Sequence, residues 1–511
     1  MEYRVKKFLL GSLLTATAFI NLNFAQAAKL TQTKTNNTAT AAQAKPQDDV
    51  KVPFVTKTLS NGLEVIVLPD ASVPLVTVEM AVRNGSFTEP PELNGLSHLY
   101  EHMFFKTNQA LIVGQCEQAI NAGRISDYGR EVCAEPMKLK AQIGDVSYLN
   151  EIDKLGYVRN GTTQEEYVNY YFSTTSPNLA TIMRVMRNAM LYPSFEKEEF
   201  DREIQVVLGE LDRQQAEPVY YLDRTLMDKL FYKYPSRKSP GGTRETVSSA
   251  TVEKMRLIQS RYYVPNNSAL VVTGDVQPEK VFKLAEDLFG IWKKGEDPFV
   301  KFPIVEHPPL TKSEGVIVNQ DVENVIMQIG WHGPSIGKDD ASTYAADVFS
   351  YIVQQPDSRF QRAMIDSGLA VQTSVHYYTQ RNVGPIRITL VTAPEKAKAA
   401  LDALYKEIAQ FNNPNYFTDT ELANAKTLLE AEDLYRREKL SEYTHSLGFW
   451  WSSTGMDYYR GYYKNLRAAS RDDIKKYVSG YIQGKPHVGV ALISTQAQAT
   501  AKLTEQDLIG K

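Results

Sequence analysis

The chain has 511 residues, 43 % hydrophobic and 23 % charged, with a net charge of −3 and a pI near 6.2. At roughly 100–200 residues per domain this is length for two to four domains, each able to bury a core. No basic stripe accompanies so balanced a charge, so nucleic acid is excluded as an expected partner.

The first segments read as an address. MEYRVKK is basic, FLLGSLLTATAFI (Phe8 to Ile20) is apolar, and Ala25-Gln26-Ala27 fits a small-x-small cleavage site. This predicts a signal peptide over 1–27 and an exported protein, periplasmic or secreted. The apolar run falls short of the about 20 residues a spanning helix needs, so no stable membrane span is expected after cleavage. Residues 28–50, rich in Thr, Ala, Asn, Gln and Lys, predict a disordered linker.

Folded sequence follows. FVTKTLSNGLEVIVLPD predicts strand, Asn-Gly turn and strand, and LVTVEMAVRNGS a further strand. NLATIMRVMRNAMLY, EKEEFDREIQVVLGELDRQQ, ATVEKMRLIQSRYY and QPEKVFKLAEDLFGIW carry apolar residues at helical spacing, with the strand NNSALVVTGDV among them. A proline-rich joint, 296–312, separates 51–295 from 313–511. Beyond it the grammar repeats. EGVIVNQDVENVIMQIGW predicts two paired strands, ASTYAADVFSYIVQQ a helix, AVQTSVHYY and GPIRITLVTA strands, and PEKAKAALDALYKEIAQF a helix. SRDDIKKYVSGYI then HVGVALIS echoes the helix-strand order of TVEKMRLIQSRYY then NSALVVTGDV. The expectation is an α+β fold of two homologous α/β-sandwich halves facing across a cleft.

Only seven histidines are present, yet His98 and His102 stand four apart in GLSHLYEHMFFKT with Glu101 between them. On a helix they share one face, with Glu101 beside it. Two imidazoles so placed can chelate zinc and leave room for a third protein ligand and a water, whose proton an adjacent carboxylate can take. The order H-x-x-E-H is the reverse of the commoner H-E-x-x-H. Downstream, Glu199, Glu203 and Glu210 fall on one helical face, and spacing alone does not rank them.

The stretch RNGSFTEPPELNGLSHLYEHMFFKT resembles the signature of the insulinase/pitrilysin family of zinc metallopeptidases, in particular the branch of mitochondrial processing peptidase and its bacterial two-domain homologues. YPSFEKEEFDREIQVVLGELD is similar to that family's second zinc segment. The resemblance implies one zinc ion per chain, held by His98, His102 and Glu210, with Glu101 as general base and Glu203 as a carboxylate behind the ligands. Glu199 is expected in a solvated acidic first turn. Between His102 and Glu210 stand 107 residues, more than the family's usual spacing. The excess, about 107–150, is read as an insertion in the 51–295 catalytic domain. It holds both cysteines, Cys116 and Cys133, which an exporting cell could leave as a disulfide or as free thiols.

EIDKLGYVRNGTTQEEYVNYYFSTT resembles the family's edge strand, which takes peptide substrate as an added strand. It makes Asn160, Gly161 and Thr162 candidate substrate-binding residues. The 313–511 half is expected to be non-catalytic. Arg387, Tyr377 and Tyr378 are its candidates for reaching substrate, while His332, His376, His445 and His487 are scattered. The expected function is exported zinc metalloendopeptidase activity on oligopeptides or unfolded segments, with a homologous partner subunit or a homodimer possible. The alternative is a non-catalytic peptide-binding or assembly subunit.

Overall fold

The β-branched runs VIVL, VTVEMAV and ALVVT make the centre of one sheet. The computed structural model describes residues 54–510 apart from Glu151 and 234–238, so the expected signal peptide (1–27) and linker (28–50) lie outside the described residues. The first sheet contains β1 (Val55–Thr58), β2 (Glu64–Pro69), β3 (Leu75–Val82), β4 (Val158–Thr163), β5 (Val168–Thr175) and β6 (Ser268–Gly274). Their order is β1-β2-β6-β3-β5-β4, with β2 and β6 parallel and the other pairs antiparallel. All of β6 is buried, as expected of a strand covered on both faces.

The second sheet contains β7 (Glu314–Asn319), β8 (Val325–His332), β9 (Gln372–Tyr377), β10 (Pro385–Thr392) and β11 (Val488–Ile493), in the order β7-β11-β8-β10-β9. Strand for strand this repeats β2-β6-β3-β5-β4, including the parallel pair β7 and β11. The two halves are thus one unit used twice. The expected pairing of β7 with β8 is corrected here. β11, from the end of the chain, lies between them, a non-local choice that adjacent sequence cannot reveal.

The longer helices of the first half are α1 (Leu96–Phe104), α2 (Gln109–Asn121), α3 (Asp127–Lys138), α4 (Leu179–Leu191), α5 (Lys197–Gln215), α6 (Pro218–Leu230), α7 (Val252–Tyr262) and α8 (Pro278–Phe289). Those of the second are α9 (Asp340–Gln354), α10 (Ala397–Gln410), α11 (Asp419–Glu438), α12 (Leu440–Ser453), α13 (Met456–Ala468) and α14 (Arg471–Tyr481). Helices α1, α4, α5, α7 and α8 bury their apolar stripes on one face of the first sheet, against Val65, Val78, Met80 and Leu270.

The other face of each sheet is covered by a helix from the opposite half. Tyr443, Leu447 and Trp451 of α12 join Ile66, Leu68, Ala81 and Val271 of the first sheet in one buried cluster. Leu222, Leu226 and Leu230 of α6 meet Val488, Val490 and Leu492 of the second. Two glycines permit the approach. A Cβ on Gly330 would stand 2.8 Å from Leu230 Cδ1, and one on Gly448 would collide with Glu79 and Tyr167. The exchange buries two apolar sheet faces that neither half covers with its own helices.

Candidate metal centre

Helix α1 begins at Gly95, whose φ of 88° is left-handed backbone open to glycine, and any Cβ there would stand 2.7 Å from Gly242 Cα. The buried carboxylate of Glu89 caps this end. It accepts from the backbone N–H groups of Gly95 (2.8 Å) and Ser97 (2.6 Å). Burial pushes Glu89 up to about 7, against the pull of those donors. Helix N-termini favour such an anion, so α1 starts from a fixed point.

One turn on, His98 and His102 place their rings 4.9 Å apart, edge to face. Helix α5 lies against them and supplies Glu203 and Glu210, both buried. Glu210 Oε2 stands 3.6 Å from His98 Nε2 and 3.5 Å from His102 Nε2. These gaps are long for hydrogen bonds. They suit donors that share an ion, since tetrahedral zinc with ligands at about 2.0–2.1 Å keeps them roughly 3.4 Å apart. Glu210 Oε2 is buried without a hydrogen-bond partner, a costly state for a carboxylate oxygen unless something charged joins it. His98, His102 and Glu210 each bring one ligand atom within 4.8 Å of the others, so the three could hold a metal ion. Two imidazoles with one carboxylate fit zinc better than magnesium or calcium.

Glu203 does different work from Glu210. Its Oε2 takes a hydrogen bond from His102 Nδ1 at 3.1 Å, and its Oε1 pairs with Lys106 Nζ at 2.6 Å. With Nδ1–H donated there, Nε2 is the ring atom of His102 that faces Glu210. Burial would raise Glu203 and Glu210, but His102 pulls both below the usual carboxylate range. Burial also lowers His102, yet the two glutamates outweigh it and lift the ring to about 9. Burial, then the neighbouring His102, push His98 down to about 4.

Glu101 sits between α1 and strand β4. Thr163 Oγ1 donates to its Oε2 at 2.8 Å, and a Cβ on Gly161 would stand 2.7 Å from its Cγ. Burial pushes Glu101 up to about 7, where a carboxyl group exchanges protons readily in either direction. Glu199, expected in a solvated first turn, instead accepts from Thr107 N (3.0 Å) and Thr107 Oγ1 (2.9 Å), fastening the segment after α1.

The other candidates separate. β4 is the edge strand, with Asn160 exposed and Gly161 and Thr162 half-buried. Arg387 is engaged with Asp223 of α6 (2.8 Å), Tyr377 donates to Pro334 O (3.0 Å), and Tyr378 donates to Gln164 beyond β4 (2.9 Å). Arg387 and Tyr377 are thus engaged by partners within the chain. Within 107–150, a disulfide joins Cys116 of α2 to Cys133 of α3. Arg187 of α4 anchors this segment, donating to Ile143 O (2.8 Å) and Gln142 O (2.7 Å). Sequence reading missed Glu89 and Arg187. Glu89 lay eight residues before Ser97, a reach that only the folded loop between them shows.

The chain resembles known proteins along most of its length. The family description Insulinase (Peptidase family M16) matches residues 65–121 and 140–243, and Peptidase M16 inactive domain matches 249–429. The first match pauses over the segment that holds α3. A zinc protease of Rickettsia felis is 25 % identical over 402 residues, covering 78 % of this chain and 87 % of its own. The zinc protease PqqE of Helicobacter pylori is 22 % identical over 355 residues, 69 % of this chain and 72 % of its own. Among solved structures, a protease from Helicobacter pylori superposes with a TM-score of 0.71 at 20 % identity, covering 86 % of this chain and 99 % of that one. The periplasmic protease PqqL of Escherichia coli gives 0.64 at 16 % identity, over 91 % of this chain and 50 % of that one.

Proposed function

Since this chain belongs to the insulinase family (peptidase family M16) and is a zinc metallopeptidase, we propose that it is an exported endopeptidase with Glu101 as general base. The observation that carries this is the meeting of His98 Nε2, His102 Nε2 and Glu210 Oε2, at 3.5–3.6 Å, beside a carboxylate that takes no part in that meeting.

His98, His102 and Glu210 would hold one zinc ion per chain. When bound, zinc supplies positive charge that polarises a scissile carbonyl and makes water a stronger acid. Glu203 holds His102 by its Nδ1 and keeps Nε2 free. Glu101 takes a proton from the attacking water, holds it at Oε1 or Oε2, and passes it to the leaving amine nitrogen. Thr163 fixes the carboxylate while this happens. Substrate is held as an added strand on the edge of β4, at Asn160, Gly161 and Thr162, where backbone pairing gives affinity with little sequence demand. That suits oligopeptides and unfolded segments. Residues 51–295, with the insertion at about 107–150, form the catalytic domain, and 313–511 a non-catalytic domain that closes over it across the 296–312 joint.

Export is supported by the opening 27 residues and by the periplasmic PqqL neighbour. A homologous second chain or a second copy remains part of the proposal. The reading of a non-catalytic subunit draws on the inactive-domain match, but that match begins at residue 249, after every residue of the metal centre. The test is zinc analysis of the purified protein with cleavage of an oligopeptide mixture, before chelation, after it, and after zinc is restored. One zinc with chelator-sensitive cleavage supports the proposal, and zinc without cleavage overturns it in favour of the binding subunit.

A further inference from the structure

We propose that His445 of α12 and Tyr171 of β5 form a subsite for the side chain of the substrate residue next to the scissile bond, and that it takes a carboxylate or a carboxamide. This rests on the reading above of β4 as the strand that receives substrate.

The sheet register sets the two faces. Asn160 pairs with Tyr171, and Tyr171 with Glu79, so these three side chains leave one face of the sheet. Gly161 pairs with Tyr170, and Tyr170 with Met80, on the other face, where Glu101 lies against Gly161. A peptide strand beside β4 alternates in the same way. The residue level with Gly161 presents its side chain toward α1 and Glu101. Its neighbour, level with Asn160, presents its side chain on the face shared by Asn160 and Tyr171, with Asn160 beside it and Tyr171 one strand further in.

The opposite half supplies the wall at that point. His445 stands with its ring centroid 4.3 Å from that of Tyr171. Its Nδ1 is bonded to Glu79 Oε2, while the hydroxyl of Tyr167 bonds Glu79 Oε1. Glu79 has no exposed surface, and its two oxygens are both engaged, so the ring is held in one orientation from beneath. Gly448, one turn further along α12, leaves the space that lets the helix come this close. His445 Nε2 has no partner among the described residues, and the side chain is 29 % exposed. Asn169 lies beside the ring at 3.2 Å and is 1 % exposed, and its Oδ1 is buried without a partner. A buried carboxylate, a tyrosine hydroxyl and a glycine thus fix one imidazole whose outer nitrogen is unused. An imidazole with both nitrogens protonated donates to a carboxylate or to an amide oxygen. With Nε2 bare it accepts from an amide N–H. Both ligand types end in a planar group of two polar atoms.

The experiment uses the full chain loaded with zinc and a peptide series that varies one position at a time on either side of the cleaved bond, with Asp, Asn, Ala or Lys. At one position wild type should favour Asp or Asn over Ala by about 10-fold in kcat/KM, the worth of one ordinary hydrogen bond to a polar group. His445→Ala should bring that ratio to near unity, and His445→Gln, which keeps a polar end, should restore part of it and guards against an unfolded alanine variant. Asp above Asn identifies the ring as donor, and Asn above Asp identifies an amide ligand. The same peptides are titrated onto Glu101→Gln by fluorescence anisotropy. A His445-dependent preference in binding with no cleavage by wild type would sink the peptidase reading and leave the subsite standing. Uniform loss across the series, a preference that survives His445→Ala, or no preference at any position overturns the subsite.

Discussion

Glu210 and Glu203 lie on one face of one helix, so comparing Glu210→Gln with Glu203→Gln asks which of them meets the metal. Gln keeps the volume of Glu and removes its charge. In the proposed site Glu210 is one of three protein donors and the only carboxylate among them. A complete zinc site is worth about 10–16 kcal/mol, so losing a quarter to a third of it costs roughly 3–5 kcal/mol, or about 10²–10⁴-fold in affinity. Glu203 touches only Nδ1 of His102, at 3.1 Å, and its other oxygen is spent on Lys106. Loss of such a supporting carboxylate costs about 10–100-fold, and the amide oxygen of Gln still accepts from Nδ1, which places Glu203→Gln near the low end. The gap between the variants should therefore be at least about tenfold. The assay is competition for zinc between each full-length variant and a chromophoric chelator. If Glu203→Gln loses as much affinity as Glu210→Gln, or more, the assignment built on the Nε2 distances is wrong.

Thr163→Val removes the donor to Glu101 and should lower kcat by about tenfold, the upper worth of one bond to an ionised group being larger; zinc content measured alongside should not move. Leu226→Ala should lower stability by about 2–5 kcal/mol, because the side chain is 1 % exposed and locks α6 to the second sheet; urea unfolding reads it. Replacing Cys116 and Cys133 together by serine should speed hydrogen exchange across 109–143 and leave β3 and β6 protected, since the disulfide closes a local loop with a sequence separation of 17. Burial pushes Asp347 up to about 7, with the Tyr462 hydroxyl opposing. Its folded value thus exceeds the ordinary carboxylate value near 4, so the stability it contributes is present below about pH 4 and is lost as pH rises through about 7. Asp347→Asn should flatten that slope in denaturant midpoints taken across this range.

Much of this centre is written locally. His98, Glu101 and His102 are legible because helical spacing alone brings them together, and the strands at 55–82 and 268–274 are legible from β-branched runs. The choice between Glu203 and Glu210 is not, since residues seven apart share a face; it depends on where α5 crosses α1. The family resemblance had to supply it. The pairing of β11 between β7 and β8 joins segments far apart in the chain, and no local pattern marks it. The same holds for the exchanged helices. The apolar stripes of α6 and α12 look like stripes that cover their own sheet, and only tertiary packing shows that each covers the other one. His445 was unremarkable in sequence for this reason: its partners Glu79, Asn169 and Tyr171 all belong to the other half. The two cysteines were compatible with a bond or with thiols, and the α2–α3 hairpin is what brings them together.

The central claim is that a carboxylate outside the metal ligands does the proton work, and Glu101→Gln tests it most directly. The substitution keeps the side-chain volume and the acceptor for Thr163, and leaves His98, His102 and Glu210 in place. Zinc stoichiometry and single-turnover cleavage of one oligopeptide should be measured on the same sample. The account predicts one zinc per chain, as in wild type, with the cleavage rate reduced by about 10²–10⁴-fold. Cleavage at the wild-type rate with zinc bound would contradict it, and loss of zinc from Glu101→Gln would show that Glu101 belongs to the metal's own ligand set.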